Sequence, residues 1–395
     1  MGTSNYLYVH PWLHPDESWA GFQVGASSGR PAPEALHQLL GQPGVQHMDA
    51  RLPWFIPVAT AADVRVADTL AAERTVLLLQ PPEDPANQEA AEALEADLRR
   101  ASRKLGIVLA PNDPLPPTGV WNYAVLSVGH ARTLPPFTLI GLSTRTAIVL
   151  TQVGNRNDYG WAAGNQASLL SGEYLVTRQA PTNKPDVTRL KLLELLSLVV
   201  RDADTPELEA IFRQEPKLAY GLLRLVNSAA MAPRSPVTSF GQAIQLLGRR
   251  QLQRWLQLLV YANAENGNQP NPLLLQAATR GRLMEILIEQ IPGAGEAERQ
   301  PDAAFMTGTF SLLDVLLNLS MTDILQQLPL PGILHDALAT HGGMMGELLA
   351  AIAAADLRDY RRADEILARL SLDSDTFGAA QASALEWASR IRSLG

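Results

Sequence analysis

His335-Asp336 is the single His-Asp dipeptide in the chain, and an imidazole beside a carboxylate can hold a divalent cation and activate water for phosphoester hydrolysis. His341 stands six residues on. The dipeptide follows Leu328-Pro329-Leu330-Pro331, so we read it as a surface pair at a helix start. His10 and His14 have the spacing that sets two ligands on one helical face, but Pro11 and Pro15 oppose a helix there. Gly25-Ala26-Ser27-Ser28-Gly29 lacks the lysine and spacing of a phosphate loop and reads as a turn. Arg249, Arg250 and Arg254 form the densest basic cluster, opposite a stripe of Leu252, Trp255, Leu256 and Leu259. That geometry predicts a solvated helix face, with an electrostatic docking patch as the functional alternative. Asn227 and Ser228 are placed to cap a helix or bond a loop.

Composition narrows the chemistry further. The 395 residues include no cysteine, which removes disulfides, iron–sulfur clusters, thiol nucleophiles and cysteine-ligated zinc. Any metal must rest on histidines and carboxylates. Acidic residues number 40 against 32 basic, a formal charge of −8, and a split at residue 185 leaves both halves acidic. Neither half has the basic excess that neutralises phosphates, so no nucleic-acid partner is expected. The segment from Met1 to Tyr6 lacks the pattern of a signal peptide, and the apolar run from Leu348 to Ala355 is too short to span a bilayer. These features predict a cytoplasmic protein without membrane insertion.

Two kinds of element must position these residues. Up to Thr177, short apolar runs bounded by Gly and Pro read as buried strands, among them Ala20 to Val24, Trp54 to Val58, Thr75 to Leu79, Ala124 to Val128, Thr138 to Leu142, Ala147 to Val153 and Tyr174 to Thr177. A helix is predicted between Asn87 and Leu105, closed by Gly106. The alternation implies an α/β domain over 1–180, a linker over 181–186 and an all-helical domain over 187–395. In the helical half, Thr205-Pro206 and Ser239-Phe240-Gly241-Gln242 read as helix starts, and Gly248 stands where a C-terminal cap is expected.

The stretches Leu222-Leu223-Arg224-Leu225-Val226-Asn227-Ser228-Ala229, Ser239 to Leu252 with Trp255, and Ala304 to Asp314 resemble the HDOD domain, a bacterial signalling module related to metal-dependent HD phosphohydrolases. The C-terminal portion resembles proteins that carry an EAL domain before the HDOD domain. EAL domains are cyclic-di-GMP phosphodiesterases built as β/α barrels, with carboxylates on strand ends holding two metal ions. Here Gly172 to Arg178 resembles their QGY segment and final strand, and Leu150 to Asn155 resembles the preceding acidic strand.

The resemblance implies that ligand positions are altered. Gln23 falls at the signature glutamate, Thr151 and Gly154 at two acidic positions, and Asn112-Asp113 at the Asp-Asp position, leaving Asp113 as the remaining acid. In the helical half Ser311 and Leu312 stand at the His-Asp dyad. Holding two cations requires anionic oxygens, so no catalytic residue, metal or cofactor is assigned. The first domain is short for a barrel of about 250 residues, and 128–147 leaves little room for a crossover helix, so a degenerate, incomplete EAL-type barrel is expected. The implied function is a non-catalytic signalling or scaffold role through protein–protein contacts in a cyclic-di-GMP-related or motility-related pathway. Candidate interaction residues are Arg224, Asn227, Ser228, Arg249, Arg250 and Arg254. The alternatives are a non-hydrolysing cyclic-di-GMP receptor and a residual phosphodiesterase. Ser171 at the QGY glutamine, and Arg30 as the only candidate for the arginine after the EAL motif, bear on the first of these.

Overall fold

The structure, a computed structural model, describes residues 6–82, 85–135, 137–179, 196–198, 200–201, 203–204, 207, 237, 240–262, 272–296 and 298–391. Arg224, Asn227, Ser228, the linker 181–186 and the helix starts at Thr205 and Ser239 lie outside the described residues, as does the side chain of Arg249. The chain forms two compact units. The first contains Met1–Thr177 together with Ala355–Asp364 and Asp373–Ala382, and the second contains the remainder.

Eight strands close a barrel in the first unit: β1 (Tyr8–Leu13), β2 (Trp19–Gly25), β3 (Trp54–Val58), β4 (Thr75–Leu79), β5 (Leu105–Val108), β6 (Tyr123–Ser127), β7 (Ala147–Thr151) and β8 (Ala167–Leu170). β1 runs antiparallel to β2 and β8, and all other pairs are parallel. The interior is filled by Trp12, Ala20, Phe55, Val76, Leu78, Val125, Val149 and Leu169. Strands such as Thr-Val-Leu-Leu-Leu at β4 are apolar at every position after the first because both faces are covered.

The barrel is closed, which corrects the expectation of an incomplete one. The missing length is taken from the crossovers, not from the strand count. β1 and β2 are joined by a tight turn in which Glu17 has φ 66°, and β5 reaches β6 through a loop. From β6 to β7 the chain crosses in two six-residue helices, α1 (Val128–Thr133) and α2 (Thr138–Ser143). The second replaces the strand expected over Thr138 to Leu142. Its Leu139 and Leu142, three apart, are buried, so the apolar run satisfies a helical stripe.

The last strand is likewise Ala167–Leu170, whereas Tyr174 to Thr177 belongs to a 3-10 turn, Glu173–Val176. There Tyr174 stacks on Tyr159 at 4.7 Å. The helix predicted after Asn87, α3 (Gln88–Arg100), ends before Gly106, with Ser102 in the left-handed region at φ 53°. Gly106 lies inside β5, where a Cβ would meet Leu78 at 2.6 Å.

The second unit is helical in its described residues. Its helices include α4 (Phe240–Ala262), α5 (Pro272–Ile288) and α6 (Pro301–Phe310), then short helices over Leu313–Leu317, Met321–Gln327 and Gly332–Thr340. Gly248 breaks α4 with φ 69° and ψ 165°, an extended positive-φ conformation that essentially only glycine adopts. One helical stretch, Gly332–Asp356, reaches the length and hydropathy of a membrane span, but half of it is buried in protein. His341 and Gly343 also interrupt it at φ 55° and 68°.

Candidate functional site at the barrel mouth

In a β/α barrel, groups that bind or react gather at the C-terminal ends of the parallel strands. Side chains alternate along a strand, so the interior residues fix which positions reach that end. Phe55, Val125 and Val149 line the interior, and two residues further on Pro57, Ser127 and Thr151 share their face. Gln23 on β2 pairs with His10 on β1. Ser171 and Glu173 follow β8, both buried. Glu173 is the only carboxylate among these positions.

Its partner comes from the other end of the chain. Arg358 forms an ion pair with Glu173, their side chains 20% and 9% exposed. It also donates through Nη1 to Gln23 Oε1 at 2.7 Å and to the Tyr360 hydroxyl at 3.4 Å, and its guanidinium lies 5.8 Å from the centre of the Trp12 ring. Burial works against its charge, but Glu173 and Tyr360 together more than offset this and hold it protonated. Tyr360 stacks on Tyr8 at 4.6 Å, with planes 4° apart, and lies 5.7 Å from His10. Glycine at position 25, opposite Tyr8, makes room: a Cβ there would meet the Tyr360 hydroxyl at 2.6 Å.

His10 is buried, and its Nε2 has no hydrogen-bond partner. Burial, reinforced by the positive charge of Arg358, pushes its pKa well below 6.5. The fold therefore favours the neutral ring, while the unfolded chain takes up the proton, so the stability this ring allows is lost as pH falls below about 6.5. Between pH 7 and 5.5 the native protein is expected to lose about 1 kcal/mol more than the His10→Gln variant, read from urea unfolding midpoints.

The other predicted positions serve local structure. Asp113 accepts from Ala110 N at 2.7 Å within its own turn, next to Asn112 at φ 72°. Thr151 ends β7, and Gly154 precedes Asn155, whose side chain caps the helix Arg156–Gly164. Arg30 is exposed in the loop after β2. A pair of metal ions, which the resemblance implies, does not fit these positions: the Glu173 carboxylate is engaged by a guanidinium and that of Asp113 by its own turn. Among the described residues no three His, Asp or Glu side chains converge as a metal set.

In the helical unit, Ser311 accepts from Arg280 Nη1 at 2.9 Å and donates to Gly308 O at 2.7 Å, and Leu312 is buried in the core. His335 and Asp336 are exposed, 3.5 Å apart. The expected solvated arginine face is corrected at Arg254, which is 15% exposed. It pairs with Glu285 and Asp302 and lies 5.3 Å from the Phe305 ring centre. Arg250, more exposed, also binds Asp302, at 2.6 Å. Beside them is a cavity of about 190 Å³ lined by Gln253, Gln257, Met306 and Leu334 among others.

Glu173, Arg358 and Tyr360 are the site residues that sequence reasoning missed, and His10 was weighed only as a helical pair with His14, whereas it lies on β1. Glu173 lies inside a motif already singled out, and Arg358 and Tyr360 carry no local signal.

Residues 188–327 match the HDOD domain family, so the helical part of the chain carries an HDOD domain. The first unit, outside that match, is the closed eight-stranded barrel described above. The chain is 26% identical over 193 residues to the cyclic di-GMP phosphodiesterase CdgJ of Vibrio cholerae serotype O1, covering 49% of this chain and 44% of that protein. It is also 26% identical over 172 residues to the uncharacterized protein YuxH of Bacillus subtilis, covering 43% and 40%. Each match thus spans less than half the length of the curated relative. Among solved structures, the EAL-like domain protein YdiV aligns with a TM-score of 0.33 at 12% identity, covering 42% of this chain and 89% of that one. The Bacillus subtilis YkuI protein, with an EAL domain, in complex with c-di-GMP and calcium, aligns with a TM-score of 0.32 at 14% identity, covering 61% and 70%.

Proposed function

We propose that this chain is a non-catalytic signalling protein that works through contacts with other signalling proteins in a cyclic-di-GMP-related or motility-related pathway. The observation that carries this reading is the donor set at the barrel mouth. Gln23 is neutral, Thr151 and Gly154 contribute no charge, and the Glu173 carboxylate is neutralised by Arg358. Two-metal phosphodiester hydrolysis requires several anionic oxygens around two cations. Ser311 and Leu312 supply neither at the dyad position of the helical unit.

Purified full-length protein incubated with cyclic-di-GMP and magnesium or manganese is expected to form product no faster than buffer does. Metal-dependent turnover would overturn the proposal. Relatedness to CdgJ favours a second reading, in which cyclic-di-GMP binds without hydrolysis. Arg358 and Tyr360 in the mouth oppose it, and titration calorimetry separates the two readings: heat of binding on the intact chain supports the receptor.

A further inference from the structure

We propose that the barrel mouth is a receptor for a guanidinium group, filled by the chain's own Arg358. This goes beyond the signalling role and holds whether or not a nucleotide is bound. Three observations carry it. Arg358 follows the helix Gly343–Asp356 in the left-handed conformation of a helix end, φ 62° with its N–H bonded to Ala355 O at 2.9 Å, and this fixed turn holds its side chain at the mouth. Its surroundings are acceptors set for a planar, multi-donor cation: Glu173 receives one N–H, Gln23 Oε1 another at 2.7 Å, and the Trp12 ring faces the guanidinium from 5.8 Å. The mouth also holds more polar capacity than one arginine uses. Glu173 Oε2 and His10 Nε2 are both buried with no hydrogen-bond partner.

The arginine is delivered by a strap that is fastened separately. Tyr360 stacks on Tyr8, and Asp364 accepts from the Tyr8 hydroxyl at 2.6 Å and from Ser27 Oγ at 2.5 Å. Gln381 accepts from Val9 N at 2.8 Å. With these contacts intact, removing the Arg358 side chain alone leaves a pocket shaped for the group removed.

The test uses full-length Arg358→Ala and methylguanidinium, with methylammonium and magnesium as controls. Methylguanidinium at ten times its Kd is expected to raise the Tm of the variant by about 3–5 °C. The unmutated protein, its mouth filled, should not respond. In Arg358→Ala/Glu173→Gln the response should disappear. A shift with magnesium or methylammonium but none with methylguanidinium would overturn the proposal, as would equal shifts in variant and unmutated protein. Should Arg358→Ala accumulate unfolded, the yield on refolding from urea replaces Tm: recovery specific to methylguanidinium supports the proposal, and equal yields in all three additives overturn it.

Discussion

Replacing Arg358 with alanine in the full chain is expected to destabilise the barrel unit by about 3–5 kcal/mol, because breaking a buried ion pair from one side strands the other charge. Glu173 is 9% exposed, and its Oε2 already has no partner, so water cannot readily take over the lost interaction. Pairing the change with Glu173→Gln removes the stranded charge. The double variant should therefore recover much of the loss, and a double-mutant cycle on urea unfolding reads the coupling. The backbone adds a second expectation. At φ 62° glycine is unstrained and alanine is not, so Arg358→Gly should lose about 1 kcal/mol less than Arg358→Ala. Equal stability for the parent, Arg358→Ala and Arg358→Gly would mean that the ion pair does not hold the mouth.

The second large effect belongs to the helical unit. α5 and α6 approach backbone to backbone where Gly281 meets Gly308. A Cβ on Gly308 would lie 2.7 Å from Arg280 O and 2.8 Å from Gly281 Cα, and one on Gly281 would lie 2.7 Å from Thr309 Cγ2. Carbonyl and Cα atoms cannot rotate away as a side chain can, so the helices must separate. Separation also disturbs Phe305 and Phe310, both fully buried on α6. Gly308→Val is expected to cost about 3 kcal/mol or more, and Gly308→Ala about 1–3 kcal/mol, measured as loss of helical circular dichroism on heating. Substituting the exposed His335 instead should leave the transition within about 0.5 kcal/mol of the parent.

Where sequence and structure agree, one local signal was sufficient. β3, β4 and β7 are runs of apolar, β-rich residues that suit a strand covered on both faces, and Gly248 marks a positive-φ break that few other residues would tolerate. Thr138 to Leu142 failed because a short apolar run fits periods of 2 and 3.6 equally well, and burial of Leu139 and Leu142 decided for the helix. Gln23 could be singled out from its own segment, one residue at a time. The cation beside it could not, because Arg358 and Gln23 are 335 residues apart and Arg358 reads as an ordinary polar residue in its own segment. Arg254 was misjudged for a related reason. Periodicity placed it off the apolar stripe, but Glu285 and Asp302, on other helices, draw it in.

The barrel unit is assembled from both ends of the chain, and this sets a schedule for its synthesis. Residues through Thr177 leave the ribosome roughly 180 residues before Arg358, an interval of roughly 10–40 s at ordinary elongation rates. For that time a newly made barrel has Glu173 without its counter-charge and Tyr8 without its stacking partner. Its completion waits until Arg358 and Tyr360 have been made, since their contacts join residues as far apart as 335 positions. A chain that stops before Arg358 has all eight strands of the barrel but lacks the residues that fill its mouth.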